Sequence, residues 1–238
     1  MHILNRLGLS FLLAGALLPG AAQAATRTYI VTDFDTIRLE APIAVAVQAK
    51  RGTTARGEGD ADLLQRVDLS VSARVLTIRL KPSPFEGRRS DAGQTARIFL
   101  TVPSLRRAQL SGSGTLAIDG MGGQAAEIIA AGSGALSVVN FSGDLLSIMQ
   151  QGAGATRVSG KAAKAVIQFS GSGAIDTSVL TAADLEVNAQ GAGTIRALAT
   201  RSAKVAALGP AVVVVDGHPA CTVRHAGSGT VTCAGKDY

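Results

Sequence analysis

The sequence predicts an all-β fold, a single-domain right-handed parallel β-solenoid with coils of 18–20 residues. Three observations predict it. A glycine-containing unit recurs seven times in the second half of the chain, aliphatic residues keep fixed positions around each unit, and strand-like alternation fills the first half. A short fixed period is typical of stacked repeats that contact only their neighbours. Parallel crossovers are almost always right-handed, which sets the expected hand.

Residues 1–24 have the pattern of a signal peptide. Arg6 precedes an apolar run from Leu7 to Leu18, and Ala22-Gln23-Ala24 matches a small-x-small cleavage site. The run is shorter than the roughly 20 residues that cross a bilayer. We therefore expect an exported protein, periplasmic, secreted or on the cell surface, with no transmembrane segment in the mature chain.

Residues 25–107 are expected to be the N-terminal strands of the solenoid domain. Polar and apolar residues alternate in four segments, 36–40, 43–47, 67–71 and 75–80. A further strand, Ile98–Val102, is ended by Pro103. Asp60 is placed to cap a short helical turn that carries Leu63 and Leu64.

Residues 108–238 hold the glycine-cornered repeats. Six units read Gly-Ser-Gly or Gly-Ala-Gly, and they begin at Gly112, Gly132, Gly152, Gly171, Gly191 and Gly227. The seventh is the degraded Gly209-Pro210-Ala211. Aliphatic residues dominate the positions four before, four after and six after the first glycine. Because positions two apart share one strand face, these columns predict inward-facing ladders. Glycine suits the corners because it accepts positive φ and close backbone approach.

Several segments of the sequence together resemble a known protein family. The strand ending in Val102-Pro103-Ser104-Leu105, the segment Leu110–Gly114 directly after it and the repeated glycine corners resemble the bacterial GIN domain family of auto-transporter adhesin heads. The resemblance covers residues 30–235. It implies a β-helical fold and an envelope or secreted location, and it brings no catalytic residues. The chain departs from a whole autotransporter, because it has no room for a membrane barrel.

Cys221 and Cys233 are the only cysteines, six residues before and six after Gly227. Both fall in inward-facing columns of one coil, and in an exported protein a disulfide is the expected state. Two buried free thiols are the alternative. Neither cysteine has the spacing to His218 or His225 that a zinc site needs, so no metal is expected.

Composition and motifs argue against several function classes. The net charge of +6 is scattered and aromatic residues are scarce, so nucleic acid is not an expected partner. The glycine pairs lack a following helix and a Gly-Lys-Ser motif, so no nucleotide or other cofactor is expected. No acid follows the glycines, which excludes calcium at the corners.

An enzyme is the alternative from another class. Carbohydrate-active β-helix enzymes need a pair of acids a few ångströms apart. In this chain such a pair would have to come from Glu86 and Asp91, in the polar loop 82–95, above acids of the coils. No column of the repeats holds acids in consecutive coils, so the sequence favours a protein without catalytic residues.

Two outward features are candidate binding surfaces. Gln109, Gln168 and Asn188 share one column, and such amides bind hydroxyl-rich polymers or bond one another along the ladder. Leu208, Val212 and Val214 are apolar where other repeats are polar, which indicates either a protein contact or burial against the N-terminal half.

These features predict an exported, non-enzymatic scaffold or adhesin-like module whose sheet faces bind a glycan or a protein. The alternatives are a periplasmic partner in an envelope assembly and a carbohydrate-active enzyme. The sequence does not set the oligomeric state.

Overall fold

The computed structural model describes residues 25–82 and 95–238. The predicted signal peptide, residues 1–24, lies outside the described residues. So do Glu86 and Asp91, the acids of the enzyme hypothesis. The described part contains eighteen strands and a single short helix.

The first half holds nine strands and the helix: β1 (Ala25–Tyr29), β2 (Thr36–Leu39), β3 (Ala44–Ala49), β4 (Thr54–Gly59), α1 (Ala61–Arg66), β5 (Val67–Ser72), β6 (Val75–Leu80), β7 (Ala96–Val102), β8 (Arg107–Gly112) and β9 (Thr115–Asp119). The second half holds the other nine: β10 (Gly122–Gly132), β11 (Ala135–Gly152), β12 (Ala155–Gly171), β13 (Ala174–Gly191), β14 (Thr194–Leu208), β15 (Val212–Gly217), β16 (Ala220–Ala226), β17 (Thr230–Cys233) and β18 (Lys236–Asp237).

The repeats stack as parallel coils in the register that the glycines predict. Gly112 pairs with Gly132, then each first glycine pairs with the next through Gly152 and Gly171 to Gly191. The column four residues before them is buried from Ala108 to Val205. Its members are Ala108, Ile128, Ile148, Ile167, Val187 and Val205. The predicted parallel β-solenoid is therefore confirmed.

The two glycines of a corner are needed for different reasons. Gly152 has φ +107°, a conformation that residues with a Cβ rarely adopt. Gly154 lies close to the coil below, where an added Cβ would stand 2.5 Å from the carbonyl oxygen of Gly134. The Gly-x-Gly spacing thus combines a left-handed turn with close stacking of backbones.

The first half extends the stack and then closes it. Strands β2 and β3 lie between β8–β9 on one side and β6–β7 on the other, all in parallel. Strands β4 and β5 then pair antiparallel with β7 and β6, and β1 pairs antiparallel with β4. The predicted cap is present, because Asp60 accepts hydrogen bonds from the backbone of Asp62 and Leu63.

The last coil is joined by the expected disulfide. Cys221 and Cys233 are bonded with their Cα atoms 6.3 Å apart, so neither is a free thiol. Strand β16 pairs with β14, and β17 pairs with β15. The short β18 folds back antiparallel onto β17.

Candidate functional site

The amide side chains gather on the outer surface of the strands that precede the glycine corners. Gln168 and Asn188 are directly paired neighbours on β12 and β13, and Ser170 and Gln190 are the next outward pair. Gln151 of β11 pairs with Ser170. Neighbouring strands are about 4.8 Å apart, so these side chains form one continuous group. We call Gln151, Gln168, Ser170, Asn188 and Gln190 the amide face.

A shallow, open depression of about 360 Å³ lies over this surface. Its lining consists of the amide face together with Met149, Gln150 and Phe169. Polar groups along a shallow groove with an apolar flank are what an extended polymer needs for hydrogen bonding and contact.

The amides of this face make no side-chain hydrogen bonds within the part of the chain that the structure describes. Among residues 25–82 and 95–238, no hydrogen bond involves the side chains of Gln151, Gln168, Asn188 or Gln190. Gln168, Asn188 and Gln190 are exposed. Each amide offers two donors and an acceptor, so the face presents unused hydrogen-bonding capacity to the solvent.

Gln109 shares the predicted column but is separated from the pair. In the register Gln109 faces Ile129, which faces Met149, which faces Gln168. The side-chain oxygen of Gln109 accepts a hydrogen bond from Arg38 Nε at 3.1 Å. The structure thus brings together two of the three predicted amides and places the third three coils away from Gln168.

Sequence reasoning missed Gln150, which points inward beneath the amide face. It is 1% exposed, and its Nε2 donates to the carbonyl oxygen of Gly154 at 2.7 Å. This bond fixes the corner that follows β11. The sequence does mark Gln150 as unusual, because the other members of its column are the apolar residues Leu110, Ala130 and Phe169. A polar residue in an apolar column indicates a specific internal bond.

The carboxylates of β13 are held by hydrogen bonds and nearby arginines. Arg201 and Ser202 donate to Asp184 and lower the pKa of its carboxyl group to about 2. Hydrogen bonds from Ser178 and the nearby Arg157 and Arg196 lower the pKa of Asp176. A general acid in a glycosidase has a raised pKa, and these carboxylates are shifted the other way.

The apolar surface predicted near the degraded corner is exposed to solvent. Leu208 and Val212 flank Gly209-Pro210-Ala211 and are 51% and 38% exposed, and Val214 is half-buried. Leu208 pairs with Gln190 in the coil below, so this surface adjoins the amide face. The described N-terminal strands lie at the opposite end of the stack, and none of them covers this surface.

The family model described as "putative auto-transporter adhesin, head GIN domain" matches residues 33–219. The chain belongs to this family. The predicted family resemblance is thereby confirmed, and it places the protein among adhesin-like proteins. No curated protein matches the chain.

Solved structures of similar fold come from species of Bacteroides and Parabacteroides. A "putative adhesin" from Bacteroides fragilis superposes with a TM-score of 0.79 at 21% identity, over 89% of this chain and 97% of its own. A "putative adhesin" from Parabacteroides merdae has a TM-score of 0.68 at 17% identity, over 90% and 97%. A "putative lipid binding protein" from Parabacteroides distasonis has a TM-score of 0.65 at 21% identity, over 90% and 97%. At sequence identities this low, the structural similarity shows that the chain shares the fold of these proteins.

No helix among residues 25–82 and 95–238 is long and apolar enough to cross a membrane. Within the same residues no group of three or more His, Cys, Asp or Glu side chains is arranged to hold a metal ion.

Proposed function

We propose that the protein is an exported, non-enzymatic, adhesin-like binding module whose amide face binds a glycan of the cell envelope or of a host surface. The observation that carries the proposal is the contiguous row of amides that have no hydrogen-bond partner among the described residues. Hydroxyl groups pair well with amides, because each amide both donates and accepts. The family and the predicted signal peptide support a position outside the cytoplasm.

The rigidity of the site supports binding of a regular polymer. Gln168 and Asn188 stand on strands whose inward neighbours are fully buried, such as Ile167 and Val187. The donors and acceptors are therefore held in place before the ligand arrives, which lowers the entropic cost of binding. Repetition at roughly 4.8 Å along the stack suits a ligand that is itself repetitive.

Binding of the oxidised mature protein to a panel of bacterial and host glycans, including peptidoglycan, tests this function. We expect saturable binding that weakens roughly 5- to 30-fold in the double variant Gln168→Ala/Asn188→Ala, because each lost hydrogen bond contributes about 1 kcal/mol. Gln48→Ala is the matched control, since it removes an exposed amide on β3, away from the amide face. Equal binding by the double variant and the control would contradict the assignment of the face.

A second candidate function is contact with an envelope protein through Leu208, Val212 and Val214. The exposure of Leu208 and Val212 favours it, because apolar side chains that cluster on a surface mark contact sites. The discriminating variant is Val212→Thr/Val214→Thr, which restores residue types found in other repeats. If partner capture is unaffected by this change, the apolar surface is not the contact.

A further inference from the structure

Strand β16 leaves one edge of the described sheet unpaired. Its residues, Ala220–Ala226, pair with β14 on one side and with no other described strand. The neighbouring edge is different, because β18 covers β17. The open edge therefore belongs to the sheet that carries the amide face.

The direction of the backbone groups on β16 follows from one hydrogen bond. The Gly209 N–H donates to the carbonyl oxygen of Ala226 at 2.9 Å, so Ala226 faces the coil below. Backbone direction alternates along a strand, so Thr222 and Arg224 face the same way. The N–H and C=O groups of Cys221, Val223 and His225 consequently point out of the open edge.

The same three residues carry the inward side chains of β16. Cys221, Val223 and His225 are only half-buried, whereas the corresponding Ala203, Val205 and Ala207 one coil below are 0–2% exposed. The burial pattern along β16 alternates and is symmetric about Val223. One more strand on this edge would complete both the hydrogen bonds and the core.

We propose that a second copy of this chain supplies that strand, with the two β16 strands pairing antiparallel about a two-fold axis at Val223. Val223 then faces Val223 of the second copy, and Cys221 faces His225 on either side. All three are hydrogen-bonded pairs, so the two strands exchange six backbone hydrogen bonds. The interface is self-complementary, as a two-fold dimer requires.

The outward side chains of β16 suit this pairing. Thr222 of each copy stands opposite Arg224 of the other, in the closely spaced pairs of an antiparallel ladder. No like charges meet, because Arg224 is the one residue of β16 with a permanent charge. The three half-buried residues of each copy stay on the inner side and join the two cores.

The described N-terminal strands lie far from this edge. The parallel ladder from Leu76 on β6 to Val223 on β16 spans eight strand spacings. That distance is about 38 Å. None of the described N-terminal strands therefore pairs with β16.

Pairing of this kind would place the amide faces of both copies on the same side of one continuous sheet. A polymer would then meet two sites, and its binding would gain from avidity. This consequence rests on the proposed glycan-binding function, whereas the dimer itself does not.

Sedimentation equilibrium of the oxidised mature protein tests the proposal without any glycan. We expect a monomer–dimer equilibrium that two substitutions at exposed Thr222 shift in opposite directions. Thr222→Glu faces Arg224 of the second copy and tightens the dimer, whereas Thr222→Lys repels it. Each cross-strand pair contributes about 0.2–1 kcal/mol and occurs twice, so we expect changes of roughly 2- to 30-fold in the dissociation constant.

A compensating variant separates pairing from local destabilisation. Thr222→Lys/Arg224→Glu restores opposite charges across the interface and recovers the dimer. Val223→Pro removes an N–H that points out of the edge, leaves the bonds to β14 and abolishes dimerisation. A wild-type protein that remains monomeric at every concentration overturns the proposal, as does a dimer that responds to none of these changes. Loss of glycan binding with an intact dimer contradicts only the proposed function.

Discussion

The two ends of the solenoid are finished in different ways. At the N-terminal end, antiparallel strands and α1 fold over the first parallel coil, and Leu63 and Leu64 are buried there. At the C-terminal end the last coil is joined by one disulfide and a two-residue strand, and the inward residues of β16 stay half-buried. Terminal repeats of a solenoid need a cover because they have one neighbour. The N-terminal end is covered by apolar packing. The C-terminal end is held by a disulfide and leaves the edge of β16 unpaired.

The two ends also differ in the interactions that hold them to the rest of the solenoid. At the N-terminal end Asp35 receives hydrogen bonds from Arg74 and Arg106, which lie on different segments, at 2.9 and 3.0 Å. The carbonyl oxygen of Leu64 receives Arg27 Nη1 and Tyr29 Oη. Many weak contacts hold this end, so we expect it to unfold with the whole domain. Beyond its strand pairing, the C-terminal end has the disulfide as its main fastening, so we expect it to open locally when that bond is removed.

Truncation of the apolar cover tests the N-terminal half of this comparison most strongly. Leu64 is 1% exposed, and Leu64→Ala is expected to lower the free energy of unfolding by about 2–5 kcal/mol, through lost burial and a residual cavity. Urea unfolding followed by circular dichroism measures it. Leu208→Ala, the same change at a half-exposed site, is the control and should have little effect. Equal losses at the two sites would mean that α1 is not a cover.

Removal of the disulfide tests the other end. The double variant Cys221→Ser/Cys233→Ser is expected to lose up to about 3 kcal/mol in the chain-entropy model. Hydrogen exchange should rise in β15, β16 and β17 and stay unchanged in β10 to β13. Reduction of the wild type should reproduce this pattern and leave the variant unaltered. Faster exchange along the whole stack would instead show that the last coil supports the entire domain.

Low pH is expected to reduce the stability that the hydrogen bonds of Asp35 give to the N-terminal end. Burial raises the pKa of Asp35, but hydrogen bonds from Arg74, Arg106 and Thr36 outweigh it, so its pKa is below the ordinary value. A lowered pKa contributes stability above the ordinary value of about 3.9, and that stability disappears as pH falls through the folded value.

The measurement is the melting temperature of the wild type and Asp35→Asn between about pH 6 and pH 3. The variant should have a lower melting temperature than the wild type at pH 6. The difference between the two melting temperatures should become smaller toward pH 3. If the difference in melting temperature does not change with pH, the lower stability of the variant comes from packing and not from the charge of Asp35.

Much of the fold could be predicted because its determinants are local and repeated. The columns at Ile128, Ile148 and Ile167 show which side chains point inward, since alternation along a strand is set within a few residues. The corner glycines indicate where the chain turns, and the positions of Cys221 and Cys233 in one coil indicate the disulfide. The candidate site was only partly predictable: Gln168 and Asn188 are neighbours, whereas Gln109 lies three coils from Gln168 and is bound to Arg38.

The sequence by itself determined the period of this protein, its inward columns, its corners and its covalent link. The tertiary structure decided which strands turn antiparallel to close the first coil, that β18 covers β17, and that β16 is left open. It also decided that the amides of the face have no partners among the described residues and that Gln150 bonds inward. The physical reason is that repeat patterns record contacts between equivalent positions. The ends of a stack and its surface contacts join positions that have no equivalent elsewhere in the chain.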